Sequence, residues 1–188
     1  MANAINWVTC DGGPLLLLPR HLEQVWRGSL PLEDGRSVDA KCRWSGEADS
    51  PATDYDLACD ITDPVGIIEV AGAQALVFAT EDSMGTWLPS SEFPGGILVV
   101  HRSGPKMADP AAALLAAVAS VPKASFSDAG LTLNFADGVG LLCAACDAGP
   151  NWLYKPQPIS IPPGRYVICT ADIEVDGFSL CLHGLSPV

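Results

Sequence analysis

The stretch CDGGPLLLLPRHLEQVWRG, residues 10–28, constrains the fold more than any other part of the chain. Its leucine run is far shorter than the roughly 20 apolar residues of a membrane-spanning helix. It also lacks the alternation of apolar and polar residues that marks a strand with one exposed face. Leu15–Leu18 therefore predicts a strand that is buried on both faces. A phosphate-binding loop is not predicted, because the glycines match no such spacing and no lysine follows them.

The residues before the leucines predict a turn. Residues 7–10 form a second short apolar run, and glycine can adopt the positive φ angles of a tight turn that joins two strands. The glycines are therefore expected to have a structural role, with tryptophans packed around them. The structural motif expected here comprises Trp7, Gly12, Gly13, Pro14, Trp26 and Gly28.

A helix is expected to follow the leucine run. Pro19 suits the first turn of a helix, and Leu22, Val25 and Trp26 recur at helical spacing. Gly28 can end this helix, because glycine readily adopts the backbone angles found just after a helix.

Other elements follow from apolar periodicity and turn residues. The expected strands are 41–44, 67–70, 75–79, 97–102 and 141–146. Two helices are expected, 54–59 with Asp54 as its cap and 108–121 with Asp109 as its cap. A last hairpin is expected to turn at Asp176 and Gly177. These elements predict an α+β fold of mainly antiparallel sheets with two or three helices. The chain has 188 residues, so a single domain over 1–188 is expected.

Residues 65–104 and 125–175 share a pattern. Each segment predicts a hairpin, a loop that contains Trp-Leu, a Pro/Gly turn and a third strand. Two interpretations stay open. One is an internal duplication of a three-stranded unit, and the other is a chance likeness between hairpins that use the same turn residues.

Composition and charge narrow the class of function. The chain is 48% hydrophobic and 17% charged, which is enough for a large core. Its formal net charge of −12 argues against nucleic acid as a partner, because such binders need lysine and arginine to replace phosphate counterions. A basic partner fits better. No membrane segment or secretory signal is recognisable, so no membrane partner and a cytoplasmic location are expected.

The seven cysteines raise the question of a metal or redox site. Cys143 and Cys146 have CxxC spacing, but the second pair that structural zinc sites usually show is lacking. Both residues fall in an expected strand, where positions three apart point to opposite faces. Buried apolar thiols are therefore the favoured interpretation, and neither a metal nor another cofactor is expected. A small hydrolase that uses carboxylates or the Cys143/Cys146 pair stays an alternative.

Acidic residues dominate the middle of the chain. From Trp44 to His101 there is no lysine or arginine, and the same segment contains ten acids. Such a block projects a negative potential that speeds capture of a basic partner, although it can equally be an ordinary solvated face. The acids are Glu47, Asp49, Asp54, Asp56, Asp60, Asp63, Glu69, Glu81, Asp82 and Glu92.

Aromatic residues supply the other candidates for contact with a partner. Tyr55 lies between two aspartates and can either anchor an interface or pack inward. Trp87 and Trp152 are expected in loops, where they can cover a sheet or face a partner. The tryptophans expected to fill the core are Trp7, Trp26 and Trp44.

Two motifs together resemble a known family. Residues 7–28 read WVTCDGGPLLLLPRHLEQVWRG, and residues 54–59 read DYDLAC. This combination resembles the immunity protein 21 family of bacterial polymorphic toxin systems. The resemblance implies an α+β, non-catalytic protein that binds and neutralises a cognate toxin.

The resemblance also implies a kind of partner and a set of contact residues. Many such toxins are nucleases with basic clefts, which an acidic inhibitor can occupy by charge complementarity. A monomer or a homodimer is expected, and a scaffold that self-associates through sheet edges is a further alternative. The residues expected to bind the toxin are Asp54, Tyr55, Asp56, Asp60, Glu81, Asp82 and Trp87.

Overall fold

The computed structural model describes residues 5–10, 12–33, 37–46, 49–80, 84–103, 111–175 and 177–188, and these form two antiparallel sheets. The strands are β1 (Val8–Thr9), β2 (Leu15–Pro19), β3 (Gly66–Val70), β4 (Ala73–Phe78), β5 (Met84–Leu88), β6 (Ile97–Ser103), β7 (Ser127–Phe135), β8 (Val139–Ala144), β9 (Gln157–Ser160), β10 (Gly164–Val175) and β11 (Phe178–Pro187). The helices are α1 (Asp54–Cys59) and α2 (Ala111–Ser120), with short 3-10 turns at Arg20–Leu22 and Lys123–Ser125. The six-stranded sheet has the order β1-β5-β6-β11-β10-β7, and the five-stranded sheet has the order β3-β4-β2-β8-β9.

β2 lies in the middle of the five-stranded sheet, as its leucines predict. It pairs with β4 on one side and with β8 on the other. Leu15 and Leu17 pack in the core between the two sheets, whereas Leu16 and Leu18 pack in a second core on the outer face of the five-stranded sheet. All four side chains are at most 1% exposed. The run is apolar throughout because both faces of the strand are covered.

In the part of the chain that the structure describes, three apolar cores separate four layers of structure. The first core lies between the sheets and contains side chains of both, such as Phe78 and Leu98. The second lies between the five-stranded sheet and the segment that follows β2, through Trp26 and Tyr55. The third lies on the outer face of the six-stranded sheet, under α2. We call the segment over the second core, described over 20–33, 37–46 and 49–62, the cover.

Two glutamine side chains tie the sheets together at their edges. The Gln157 amide, on β9, accepts the N–H of Trp87 at 3.1 Å and donates to the Trp87 carbonyl at 3.2 Å, as a neighbouring strand would. At another corner, the Gln74 Oε1 accepts the N–H of Asn134 on β7 at 2.7 Å. These amides satisfy backbone groups where the strand ladder ends.

The first two strands form as predicted, but the turn between them does not pair them. β1 pairs with β5 in one sheet, and β2 belongs to the other sheet. Gly12, Gly13 and Pro14, which we call the GGP motif, therefore lie where the chain passes from one sheet to the other.

The structure does not confirm an internal duplication. The segment 65–104 contains a hairpin, β3–β4. The corresponding strands of 125–175, β7 and β8, lie in different sheets, so the hairpin predicted there is wrong. The two segments therefore do not share one arrangement of strands.

The other predicted hairpin is confirmed. β10 and β11 pair along their length, with Val175 opposite Phe178 across a two-residue connection. Gly177 has a φ of +82°, the left-handed angle that glycine adopts readily. Asp176 lies outside the described residues.

The helices agree with the predictions in part. α1 forms over the predicted residues, but its N-cap is Thr53 rather than Asp54. α2 is described from Ala111, and its expected cap, Asp109, lies outside the described residues. The helix expected after Pro19 is only a 3-10 turn followed by further turns, because Pro19 itself still pairs in β2. Neither α-helix of the described residues is long and apolar enough to cross a bilayer.

Leu16→Ala and Leu17→Ala test the coverage of both faces of β2. Each is expected to lower the free energy of unfolding by about 2–5 kcal/mol, because each leaves a cavity in a different core. Chemical denaturation measures both changes. The control is Glu69→Ala, at an exposed position of β3, with an expected change below about 0.5 kcal/mol. A loss below about 1 kcal/mol for either leucine would mean that its face of β2 is open.

Candidate functional site

The two sequence motifs meet on the outer face of the five-stranded sheet. α1 places Tyr55 against the GGP motif, where a Cβ on Gly13 would lie 2.9 Å from the Tyr55 hydroxyl oxygen. Tyr55 packs in the same core as Trp26, and its burial raises the pKa of the hydroxyl well above the usual range. A side chain at position 13 would displace the tyrosine, which explains why a glycine stands there.

Trp26 and Gly28 dock the cover on the turn after β8. Trp26 is fully buried, and its indole N–H donates to the Ala145 carbonyl at 3.1 Å. The N–H of Gly149 donates to the Trp26 carbonyl, also at 3.1 Å. Gly28 has a φ of +53°, and a Cβ there would lie 2.3 Å from the Cys146 carbonyl oxygen. Position 28 therefore requires glycine for its backbone angle and for the lack of space.

Asp56 is a fully buried carboxylate that organises the cover. Its Oδ2 accepts the N–H of Thr53, the N-cap of α1, at 2.9 Å. Its Oδ1 accepts the N–H groups of Trp44 at 2.6 Å and Ser45 at 3.0 Å, and the Ser45 hydroxyl also donates to Oδ2. One carboxylate thus caps the helix and holds residues 44–45 against it.

The ionised form of Asp56 is the one that the fold stabilises. Desolvation raises the pKa of Asp56, but hydrogen bonds from Ser45, Thr53 and Trp44 outweigh it, so that the pKa is lowered. Because the pKa of Asp56 is lower in the folded state, its ionised form stabilises the fold. This stabilisation is fully present above the pKa of aspartate in the unfolded chain, about 3.9. This stabilisation is lost as the pH falls through the folded-state pKa.

Asp60 binds the backbone of the residues that come shortly before Trp44. Its carboxylate oxygens accept the N–H groups of Lys41 at 2.6 Å and Cys42 at 2.8 Å. Desolvation raises the pKa of Asp60, but these hydrogen bonds outweigh it and lower the pKa. The strand predicted over 41–44 is wrong, because carboxylates rather than a neighbouring strand take up its N–H groups. We call residues 40–46 the tryptophan loop.

The tryptophan loop displays Trp44 to solvent. Its side chain is 72% exposed, so the prediction that Trp44 fills the core is wrong. The alternation of Cys42 and Trp44 with Lys41 and Arg43 imitates a strand with one buried face. The carboxylates that bind this backbone come more than ten residues later in the chain, and the local pattern does not reveal them. A local signal against a strand is the polar run SGEADS directly after Trp44.

The other tryptophans are held by the scaffold. Trp7 is partly buried and packs in the third core, so it does not pack beside Trp26. Trp87 lies in β5 rather than in a loop, and it is 7% exposed in the core between the sheets. Trp152 lies in the turn after β8, and its indole N–H donates to the Glu23 carboxylate at 3.0 Å.

The acids of α1 lie inside the protein. Asp54, Tyr55 and Asp56 are 2%, 5% and 0% exposed, so the inward alternative considered for Tyr55 holds for all three. Asp60 is partly buried and accepts hydrogen bonds from the tryptophan loop. These residues do not form the exposed face that the sequence predicts, and their contact with a toxin stays a prediction.

Three of the remaining acids of the block, Glu47, Glu81 and Asp82, lie outside the described residues, and Glu81 and Asp82 are among those predicted to bind the partner. The exposed acids in the described part of the block lie in the cover, in the loop before β3, on β3 and in the loop before β6. They are Asp49, Asp63, Glu69 and Glu92.

The Cys143/Cys146 pair lies at the end of β8, under the cover. Cys143 is fully buried in the second core, and burial raises the pKa of its thiol well above the usual value. A reactive thiol needs the opposite, a lowered pKa that favours the thiolate. Within the described ranges, no group of three or more histidine, cysteine, aspartate or glutamate side chains is arranged to hold a metal ion.

Gly28→Ala and Gly72→Ala separate backbone strain from close packing. Both glycines have positive φ, +53° and +82°, but only at Gly28 would a Cβ meet backbone atoms. Gly72→Ala is expected to cost about 1 kcal/mol from strain alone. Gly28→Ala is expected to cost about 3 kcal/mol or more, because a clash with the Cys146 carbonyl adds to the strain. Thermal unfolding compares the two, and equal costs would contradict the close docking of the cover.

Asp56→Asn tests the buried carboxylate. At pH 7 it is expected to lower the free energy of unfolding by about 1–3 kcal/mol, because an amide replaces a charged acceptor of several N–H groups. The difference from the wild type should begin to shrink as the pH falls below about 4, where Asp56 of the unfolded chain takes up a proton, and should be lost as the pH falls through the lower pKa of the folded state. Denaturation at several pH values measures it. The control, exposed Asp63→Asn, should show no such convergence, and a pH-independent difference for Asp56→Asn would refute the role of its charge.

The comparisons with known proteins agree with this convergence of motifs. Residues 6–178 match the family Immunity protein 21 (Imm21), and the matched range includes the GGP motif, the cover and most of both sheets. No curated protein and no solved structure matches the chain. Because the match covers far more than half of its length, the chain belongs to the Immunity protein 21 family.

Proposed function

We propose that this protein binds a cognate bacterial toxin and neutralises it, which protects the cell that produces the toxin. Membership of the Immunity protein 21 family is the observation that carries the proposal. Neutralisation by binding needs a surface that keeps its shape, because a preorganised surface loses little conformational entropy in the complex. The two sheets, closed by Gln157 and Gln74 and covered on both outer faces, support such a surface.

A basic toxin is the partner that the charge of the protein favours. The formal net charge is −12, and exposed acids occur on several elements, such as Asp49 in the cover, Glu69 on β3 and Asp172 on β10. Charges spread in this way attract a cationic partner and speed the encounter. They do not by themselves determine the orientation in which the partner docks.

A nuclease is the toxin class that fits this charge best. Nuclease clefts carry lysine and arginine that hold the phosphates of the substrate, and an acidic protein can compete for the same groups. In this proposal Asp54, Tyr55 and Asp56 act by shaping the cover, since their side chains are buried.

Co-expression with the toxin domain encoded by the neighbouring reading frame tests the proposal. Induction of the toxin domain alone is expected to stop growth, and co-expression of this protein is expected to restore it. An unrelated acidic protein at the same level is the control and should give no protection. Growth arrest in the presence of abundant folded protein would refute the proposed function.

The salt dependence of binding tests the basic character of the toxin. The association rate of the two purified proteins is expected to fall at least about tenfold between 50 and 500 mM NaCl, because added salt screens steering charges. Stopped-flow fluorescence measures it. A rate that does not depend on salt would leave neutralisation standing but would contradict a basic toxin.

A further inference from the structure

Most of the large exposed apolar side chains in the described part of the chain lie in or beside the cover. Among the described residues, six large apolar side chains are exposed, and four of them lie in the cover or the turn beside it. The four are Val25, Leu30, Trp44 and Leu153. The other two, Leu115 on α2 and Val188 at the last position, lie on other elements. Exposed apolar groups that cluster in this way mark contact surfaces more often than scattered ones do.

Hydrogen bonds connect the segments that carry these four side chains. The N–H of Gly46 donates to the Ser29 carbonyl at 3.0 Å, which joins the tryptophan loop to the turn that carries Leu30. The N–H of Ser29 donates to the Cys146 carbonyl at 3.0 Å and so joins that turn to the end of β8. Trp152 donates to Glu23 at 3.0 Å, which joins the neighbour of Leu153 to the segment of Val25. The segments therefore form one hydrogen-bonded frame.

Trp44 is the largest exposed side chain of this frame, and a buried carboxylate holds its backbone. A 72% exposed tryptophan gains little from folding, yet the fully buried Asp56 accepts its N–H and that of Ser45. Asp60 fixes the other end of the loop. The backbone is thus ordered before a partner arrives, which lowers the entropic cost of docking. Tryptophan is also the residue type that most often dominates binding energy at interfaces.

From this geometry we infer that Trp44 is the anchor by which the protein docks in an apolar pocket of its toxin; this rests on the proposed function. The indole ring fills the pocket. Leu30, on the adjoining turn, extends the contact. Acids elsewhere in the chain bring the basic toxin close, and the tryptophan determines where it docks.

The charge of the protein favours a toxin, rather than a second copy of this chain, as the partner that contacts Trp44. Each copy has a formal net charge of −12, so two copies repel each other, whereas a basic toxin is attracted. The nearest cation, Arg43, is directed back into its own loop, where the guanidinium donates to the carbonyls of Ala40 and Cys42. Residues 40–46 contain two cations, Lys41 and Arg43, and no acid, so the tryptophan loop contributes an apolar contact while acids elsewhere in the chain attract a basic toxin.

Trp44→Ala tests the anchor against Leu115→Ala as a matched control. Leu115 is an exposed apolar residue on α2, which lies over the other sheet. The probe is the purified toxin domain of the neighbouring reading frame, and isothermal titration calorimetry measures its affinity. Trp44→Ala is expected to weaken binding at least about 30-fold, which corresponds to about 2 kcal/mol at a dominant contact. Leu115→Ala is expected to change affinity less than about twofold.

The outcomes separate this inference from the proposed function. If the wild type does not bind the toxin domain, the proposed function fails and the anchor with it. If the wild type binds and Trp44→Ala binds equally well, only the anchor is wrong. Thermal unfolding of both variants should match the wild type, because both side chains are exposed.

Light scattering tests whether Trp44 contacts a second copy of the chain instead. The protein alone is expected to be a monomer at micromolar concentration. A dimer that becomes a monomer in Trp44→Ala would overturn the assignment of Trp44 to the toxin.

Discussion

The burial of β2 on both faces is the constraint on which the rest of the structure depends. A strand of consecutive leucines is stable in water only if each face has its own apolar partner. One face meets the six-stranded sheet, through Leu15 and Leu17, and the other meets the cover, through Leu16 and Leu18. The segment that follows β2 has little regular structure of its own, so this apolar face is what it folds onto.

Because the cover has few regular elements, many of its backbone N–H groups have no partner in a helix or strand. Carboxylate side chains accept hydrogen bonds from several of these groups. Asp56 joins the start of α1 to Trp44 and Ser45, and Asp60 joins the end of α1 to Lys41 and Cys42. Acids that look like a docking surface in the sequence thus act as internal acceptors. Within the fold, Asp56 of the DYDLAC motif supports the loop that carries Trp44, and contact of the motif with a partner stays a prediction.

In the proposed function, different residues attract the toxin and determine where it docks. Long-range attraction comes from charge that is spread over the molecule, and no single carboxylate dominates it. Docking at one place needs a large side chain on an ordered backbone, which Trp44 provides. In the proposed function, acids serve both attraction and docking. Exposed acids attract the toxin, and the buried carboxylate of Asp56 orders the tryptophan loop for docking.

Four features could be predicted from the sequence: the doubly buried strand at Leu15–Leu18, the helix at Asp54–Cys59, the hairpins β3–β4 and β10–β11, and the likeness to the Immunity protein 21 family. These depend on local periodicity, turn residues and short motifs, which a single chain displays directly. The sequence did not reveal that β1 and β2 belong to different sheets, that Asp56 is buried or that Trp44 is exposed; these follow from the folded arrangement. Strand pairing and burial arise between residues distant in the chain. A carboxylate looks the same in a sequence whether water or the N–H groups of a remote loop solvate it.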